Sequence, residues 1–228
     1  MLNRWKTLSE FNHLELVCHE PDSQADSCII WLHGLGADGY DFAPLTPVLR
    51  QSCDLPGLRA IYPHAPQLPV TINGGVNMPA WYDILAASPR RTINSQQFNL
   101  AVDAIQRLVQ QQVDAGIPAE RIIVAGFSQG GAVAYQAALG CRHTLGGLIC
   151  LSTYIATDLS IQPANQQLPI FLAHGTQDMV VPVMLGQEAC ETLQQQGLTP
   201  EWHSYPIQHE VCDAELEEIA AFIRQCLG

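Results

Sequence analysis

The sequence is poor in charge. Of its 228 residues only 14% are Asp, Glu, Lys or Arg, against 47% hydrophobic, a balance that excludes a disordered chain. Positive charge is scarcer still. Ten Lys and Arg face 22 Asp and Glu, for a net charge of −12. Without a basic run there is nothing to neutralise phosphates, so no nucleic acid is expected as a partner. No apolar run reaches the length of about 18 residues that a membrane-spanning helix needs. The N-terminal MLNRWKTLSEFNHLEL lacks an apolar core and a small-residue cleavage site, so no signal peptide is expected, and Leu2 gives no N-terminal lipidation signal. Eight cysteines are present, but none is in a C-x-x-C pair. Several lie inside apolar patterns, which reads as buried reduced thiols in a cytoplasmic protein. There is no H-E-x-x-H, no paired cysteines and no nucleotide fingerprint, so neither metal nor cofactor is expected.

What is present is an alternation of short apolar runs with helical patterns. That order implies βαβ units and a mainly parallel sheet, hence an α/β fold, read as one domain over 1–228. No repeat, low-complexity tract or linker divides the chain. Strands are expected at Leu14–Cys18 (an edge), Ser27–Leu32, Leu58–Tyr62, Ile122–Ala125, Leu145–Leu151, Pro169–Ala173 and Glu201–Tyr205. Helices are expected in part of the segment through Arg50, interrupted by Pro44 and Pro47, and at Ser95–Val113, Gly131–Leu139 and Val183–Gln196. A closing helix carries Leu216, Ile219, Ala220, Ile223 and Leu227 on one face, with Asp213 as its N-cap. The stretch from Pro63 to about Asn94 reads as a long irregular connection. Its apolar residues (Leu68, Val70, Ile72, Val76, Met78, Trp81) either line a substrate groove or pack the loop onto the body.

The chain is organised around Arg121–Leu139. A buried apolar strand runs into Gly126-Phe127-Ser128-Gln129-Gly130, a match to G-x-S-x-G, and a run of small residues follows. Strand, sharp turn and helix form the context in which this motif presents a nucleophilic serine. Gly126 and Gly130 leave room for the turn, and the helix N-terminus behind it favours a developing oxyanion.

A serine hydroxyl needs a base, and the base needs an orienting group. In enzymes that carry a serine on such a turn, the acid and then the histidine follow it in the chain. His143 falls in a helix-to-strand connection, at the wrong end of the sheet. His174 precedes the acid candidate, and His203 lies inside a strand pattern. His209 falls between the last strand and the last helix, where the base belongs. Asp178, just past the Pro169–Ala173 strand, is the candidate acid; Asp158 and Asp213 compete with it. The oxyanion would be held by the N–H of Gln129, directly after the nucleophile, and by that of Leu35 in the Gly-rich loop His33-Gly34-Leu35-Gly36.

Together these motifs resemble the acyl-protein thioesterase/carboxylesterase family of α/β-hydrolases. The resemblance runs from Ile29 to the last helix and rests on LHGLGADG (32–39), MPAWYDI (78–84), GFSQGGAVA (126–134), LST (151–153), HGTQDMVVP (174–182) and HEVC (209–212). It implies an α/β-hydrolase fold, with the sheet flanked by helices. It also implies Ser128, Asp178 and His209 as the triad, Leu35 and Gln129 as oxyanion donors, and Trp81 with the loop before it, including Met78, beside the acyl group. Hydrolysis of carboxylic esters or acyl thioesters, lipidated proteins among them, is expected, with no cofactor and with frequent homodimers. The family usually has Gly directly before the histidine, where Gln208 stands, and commonly Asp at position 37, where Ala37 stands. A small-ester carboxylesterase, a deacylase of lipidated proteins and a lysophospholipase are the rival activities. The rival outside enzymes is a hydrolase-fold binding protein with a dead site.

Overall fold

The computed structural model describes residues 11–87 and 91–228. Residues 1–10, expected to carry no signal peptide, and Pro89 in the long connection lie outside the described residues. The strands are β1 (Leu16–His19), β2 (Ser27–Leu32), β3 (Leu58–Pro63), β4 (Gln67–Val70), β5 (Val76–Pro79), β6 (Ile84–Ala86), β7 (Thr92–Ile93), β8 (Ile122–Phe127), β9 (Gly147–Leu151), β10 (Ile170–Gly175) and β11 (Glu201–Tyr205). The helices are α1 (Thr46–Cys53), α2 (Ser95–Asp114), α3 (Gln129–Leu139), α4 (Val183–Gln195) and α5 (Asp213–Leu227). Seven strands form one sheet in the order β1-β3-β2-β8-β9-β10-β11. Only the edge strand β1 is antiparallel to its neighbour; the other pairings are parallel.

The central strands are continuous apolar runs because both faces are covered. Side chains alternate between two cores. Cys28, Ile30, Leu32, Ile122, Val124, Leu148, Cys150, Ile170 and Leu172 face the α2, α3 and α4 side. Ile29, Trp31, Ile123, Ala125, Ile149, Leu151, Phe171 and Ala173 face the α1 and α5 side. A one-residue slip would exchange the two sets, so the packing fixes the register. Helix α3 is buried almost all round, which is why its sequence is a run of small and apolar residues.

Three expectations need correction. The connection after β3 is not irregular throughout: β4 pairs with β5 and β6 with β7, both antiparallel. Gly74 and Gly75 turn the first hairpin at φ +70° and +78°, with open space where a Cβ would sit. Pro69 and Pro79 are tolerated because this two-stranded ribbon has free edges. Asp213 is not the N-cap of α5. Cys212 is, with extended φ −110° and ψ 166°, and Asp213 is the first helical residue, where its charge still suits the helix dipole. Pro47 does not break α1 either. It occupies the first turn, where the missing N–H costs no hydrogen bond.

The parallel strands send β2, β8, β9, β10 and β11 toward the same edge of the sheet. Their following loops carry Leu35, Ser128, Thr153, Asp178 and His209. The carboxyl ends of parallel strands are where such sheets bind ligands. Among the described residues, no helix is long and apolar enough to cross a membrane.

Candidate active site

Ser128 lies between β8 and α3 at φ +53° and ψ −120°, a conformation that L-residues avoid unless their surroundings impose it. The surroundings do. Its N–H donates to the carbonyl of Leu151 at 2.9 Å, and its carbonyl accepts from Thr153 Oγ1 at 2.5 Å. A Cβ on Gly126 would lie 2.5 Å from the Gly130 backbone, and one on Gly130 would lie 2.5 Å from the His33 carbonyl oxygen. The two flanking glycines are therefore required by close backbone approach, as the sequence implies. The result is a serine that is 8% exposed, with its hydroxyl directed at one imidazole.

That imidazole is His209. Its Nε2 lies 2.9 Å from Ser128 Oγ, and its Nδ1 lies 2.6 Å from Asp178 Oδ2. Burial alone would raise the Asp178 carboxyl. The His209 hydrogen bond, the Val181 N–H, the His209 charge and the Val180 N–H outweigh burial and hold it below the usual carboxylate range. Both backbone N–H groups reach Asp178 Oδ1 at 2.8 Å. An ionised carboxylate can only accept, so His209 carries its proton on Nδ1 and leaves Nε2 to accept the serine proton. Phe127 packs against the His209 ring at 4.7 Å between centroids. The loop before His209 wraps Gly175, where a Cβ would stand 2.1 Å from the Gln208 carbonyl oxygen. The Gln208 side chain itself is exposed.

Leu35 and Gln129 both flank this serine. Gln129 follows it in the chain. Leu35 follows Gly34, where a Cβ would lie 3.4 Å from Ser128 Cβ. Neither the Leu35 N–H nor the Gln129 N–H has an acceptor among the described residues. Met78 and Trp81, both expected beside the acyl group, differ in placement. Met78 is partly exposed, and its sulfur approaches Gly36. Trp81 is 0% exposed, its ring 5.2 Å from that of His33 and its indole N–H on the His33 carbonyl at 2.9 Å. The competing candidates fall elsewhere. Asp158 lines a groove of about 710 Å³ between the 154–159 segment and α4 that includes none of Ser128, Asp178 or His209. Asp213 starts α5, and His203 stacks on Phe171.

A serine whose proton is shared with an imidazole, itself held by an ionised carboxylate, is arranged to attack an electrophilic carbon. Residues 13–227 match the family of phospholipases and carboxylesterases. The chain belongs to the phospholipase/carboxylesterase family. This member is similar to acyl-protein thioesterase 1 of Gibberella zeae, at 35% identity over 217 residues that cover 90% of this chain and 92% of that one. It is similar to acyl-protein thioesterase 1 of Neurospora crassa, at 35% over 211 residues covering 87% and 86%. Among solved structures it resembles SOBER1 of Arabidopsis thaliana, with a TM-score of 0.81 and 29% identity over 89% of this chain and 99% of that one. It also resembles acyl-protein thioesterase 2 of Zea mays, with a TM-score of 0.81 and 25% identity over 95% and 100%. The fold is that of the α/β-hydrolases and the protein is a hydrolase, as its family carboxylesterases are. Among the described residues of this phospholipase/carboxylesterase family member, no three His, Cys, Asp or Glu side chains gather as a metal site.

Three supporting contacts around these residues were not assigned from the motifs. Thr153 anchors the Ser128 carbonyl, and the LST segment that carries it is the available signal. His174 supports the loop of Asp178 from beneath. The side chain of Gln129 bridges to the 81–82 segment, accepting from the Trp81 N–H at 2.8 Å and donating to the Tyr82 carbonyl at 2.7 Å.

Proposed function

We propose that the protein hydrolyses carboxylic esters and acyl thioesters with Ser128 as nucleophile, His209 as general base and Asp178 as its orienting acid. The observation that carries this reading is the unbroken relay from Ser128 Oγ through His209 to Asp178, at 2.9 Å and 2.6 Å. As Ser128 Oγ bonds to the acyl carbon, its proton passes to His209 Nε2. The N–H groups of Leu35 and Gln129 hold the oxyanion. Collapse breaks the carbon–oxygen or carbon–sulfur bond, and the leaving alkoxide or thiolate takes the proton from His209. Water then attacks the acyl-Ser128 ester by the same route and releases the carboxylic acid.

The similarity to acyl-protein thioesterases points to acyl thioesters on proteins as one substrate class. The eight free cysteines support a reducing, cytoplasmic setting. The test is hydrolysis of p-nitrophenyl esters from acetate to palmitate, with a matching acyl-thioester series, beside Ser128→Ala. Turnover by the wild type and its loss in the variant support the proposal. A maximum at long chains on thioesters assigns a deacylase, and one at short chains on oxygen esters a general carboxylesterase. Equal turnover by both proteins overturns the assignment of Ser128, and silence in both favours a binding protein.

A further inference from the structure

We propose that the side chains of Gln129, Trp81 and His33 form one hydrogen-bonded brace that sets the two oxyanion donors relative to each other. This rests on the reading of Leu35 and Gln129 just given and assigns these three side chains as positioning residues.

The two donors come from different parts of the chain, one following β2 and the other opening α3. Something must hold them at a fixed separation for both to reach one oxygen. From the α3 side, the Gln129 amide grips the 81–82 segment at two points, the Trp81 N–H and the Tyr82 carbonyl. Trp81 carries the link on, its indole N–H bonding the His33 carbonyl. His33 then folds back on its own loop. Its Nδ1 lies 2.7 Å from the Gly34 carbonyl oxygen, and its Nε2 accepts from the Ala65 N–H at 3.0 Å. With Nε2 accepting, Nδ1 must carry the proton and donate. Burial favours the same neutral ring, pushing the imidazole down to about 4 despite the opposing Gly34 carbonyl.

The bond to the Gly34 carbonyl, which also accepts from the Ala37 N–H at a longer 3.3 Å, sets the geometry. The Gly34 carbonyl and the Leu35 N–H belong to one planar trans peptide and point in opposite directions. Fixing the carbonyl toward His33 therefore fixes the N–H away from it. An N–H whose peptide carbonyl already accepts a hydrogen bond is also the better donor. Gln129, Trp81 and His33 are 2%, 0% and 1% exposed, and each polar atom used in the brace is paired, so it is rigid. A fully enclosed Trp81 accounts for its place in the MPAWYDI motif without contact with the acyl chain.

The test compares Gln129→Met, which keeps length and volume but loses both amide bonds, with Trp81→Phe, which keeps a buried ring but loses the indole N–H. Each is assayed for kcat and KM on p-nitrophenyl butyrate. Each is also assayed for inhibition by an alkyl trifluoromethyl ketone, which Ser128 would convert to a tetrahedral oxyanion. Expected is a fall in kcat of about 10- to 100-fold, with KM within about threefold and ketone affinity falling in parallel with kcat. Folded variants with kcat and ketone affinity within about twofold of wild type would overturn the brace. So would a loss of kcat without loss of ketone affinity, or loss of the fold in both variants, which would make the role structural. If the wild type neither turns over ester nor binds the ketone, the underlying reading fails instead, a result distinct from all of these.

Discussion

His174 Nε2 lies 3.5 Å from Asp178 Oδ2 while bonding the Val181 carbonyl at 2.8 Å. Two imidazoles thus flank one carboxylate, but only His209 reaches the serine. Burial lowers the His174 pKa, against the opposing pull of the Val181 carbonyl and Asp178, so its ring stays neutral. It holds the 178–181 loop so that the Val180 and Val181 N–H groups face Asp178. Replacing His174 with Phe leaves the buried Val181 carbonyl without its donor. The expected cost is about 1–3 kcal/mol of stability, read by urea denaturation, with His209 still able to serve as base.

Gly130→Ala is expected to damage both fold and site. The new Cβ would meet backbone, 2.5 Å from the His33 oxygen and 2.6 Å from the Leu32 oxygen, and backbone cannot swing aside as a flexible side chain can. Overpacking of this kind costs about 1–3 kcal/mol, and the displacement falls on the loop that presents Leu35. Thermal unfolding should show the destabilisation, and kcat should fall by about 100-fold. Unchanged kcat would show that the β2 loop and α3 can separate without consequence.

Motifs whose residue types follow from local backbone geometry are legible in the sequence. G-x-S-x-G implies backbone crowding at two glycines, and the structure shows the crowding at Gly126 and Gly130. Strict ordering along parallel strands places Ser128, Asp178 and His209 at one sheet edge, because every connection returns to the same end. What escaped reading depends on contacts distant in sequence. The Gln129 side chain bonds residues 47 and 48 positions away, and no local pattern encodes that. The β4–β5 hairpin was hidden by its prolines, which argue against strand except at free edges. The Asp213 cap was misplaced by one residue because the Cys212 backbone already closes the turn.

Asp178→Asn is expected to preserve the fold and to lower kcat on the order of 10⁴-fold, by comparison with the same change in a serine protease. An amide can donate to His209 and favour the wrong tautomer. The pH dependence of stability should change as well. Asp178 has a depressed folded-state pKa, so its contribution is complete above the ordinary carboxyl value of 3.8 and is lost as the pH falls through the lower folded value. The Asn variant should lack that acid-side loss in denaturation curves taken at successive pH values.

Glu215 is 1% exposed, and among the described residues its carboxylate has no side-chain partner and only the Cys212 backbone close by to favour its charge. Burial raises its pKa from 4.5 to about 7, offset only in part by the Cys212 backbone. Below 4.5 the folded and unfolded chains both carry the neutral acid. Between 4.5 and about 7 the unfolded chain ionises first, so stability falls as the pH rises, and above that the full penalty remains. Glu215→Gln removes it. The variant should be more stable than wild type at pH 8, by on the order of 2 kcal/mol, and should show no such advantage at pH 4. A variant less stable than wild type at pH 8 would show that the charge is compensated.

In the proposed reaction Ser128 carries the acyl group between two half-reactions. Rapid acid quenching during turnover of a p-nitrophenyl ester, followed by peptide mass mapping, tests it directly. The expected result is a peptide containing Ser128 heavier by the acyl group, in the wild type and in larger yield when deacylation is slow, and none in Ser128→Ala. Sustained turnover with the acyl group on another residue, or undiminished turnover in Ser128→Ala, would contradict it.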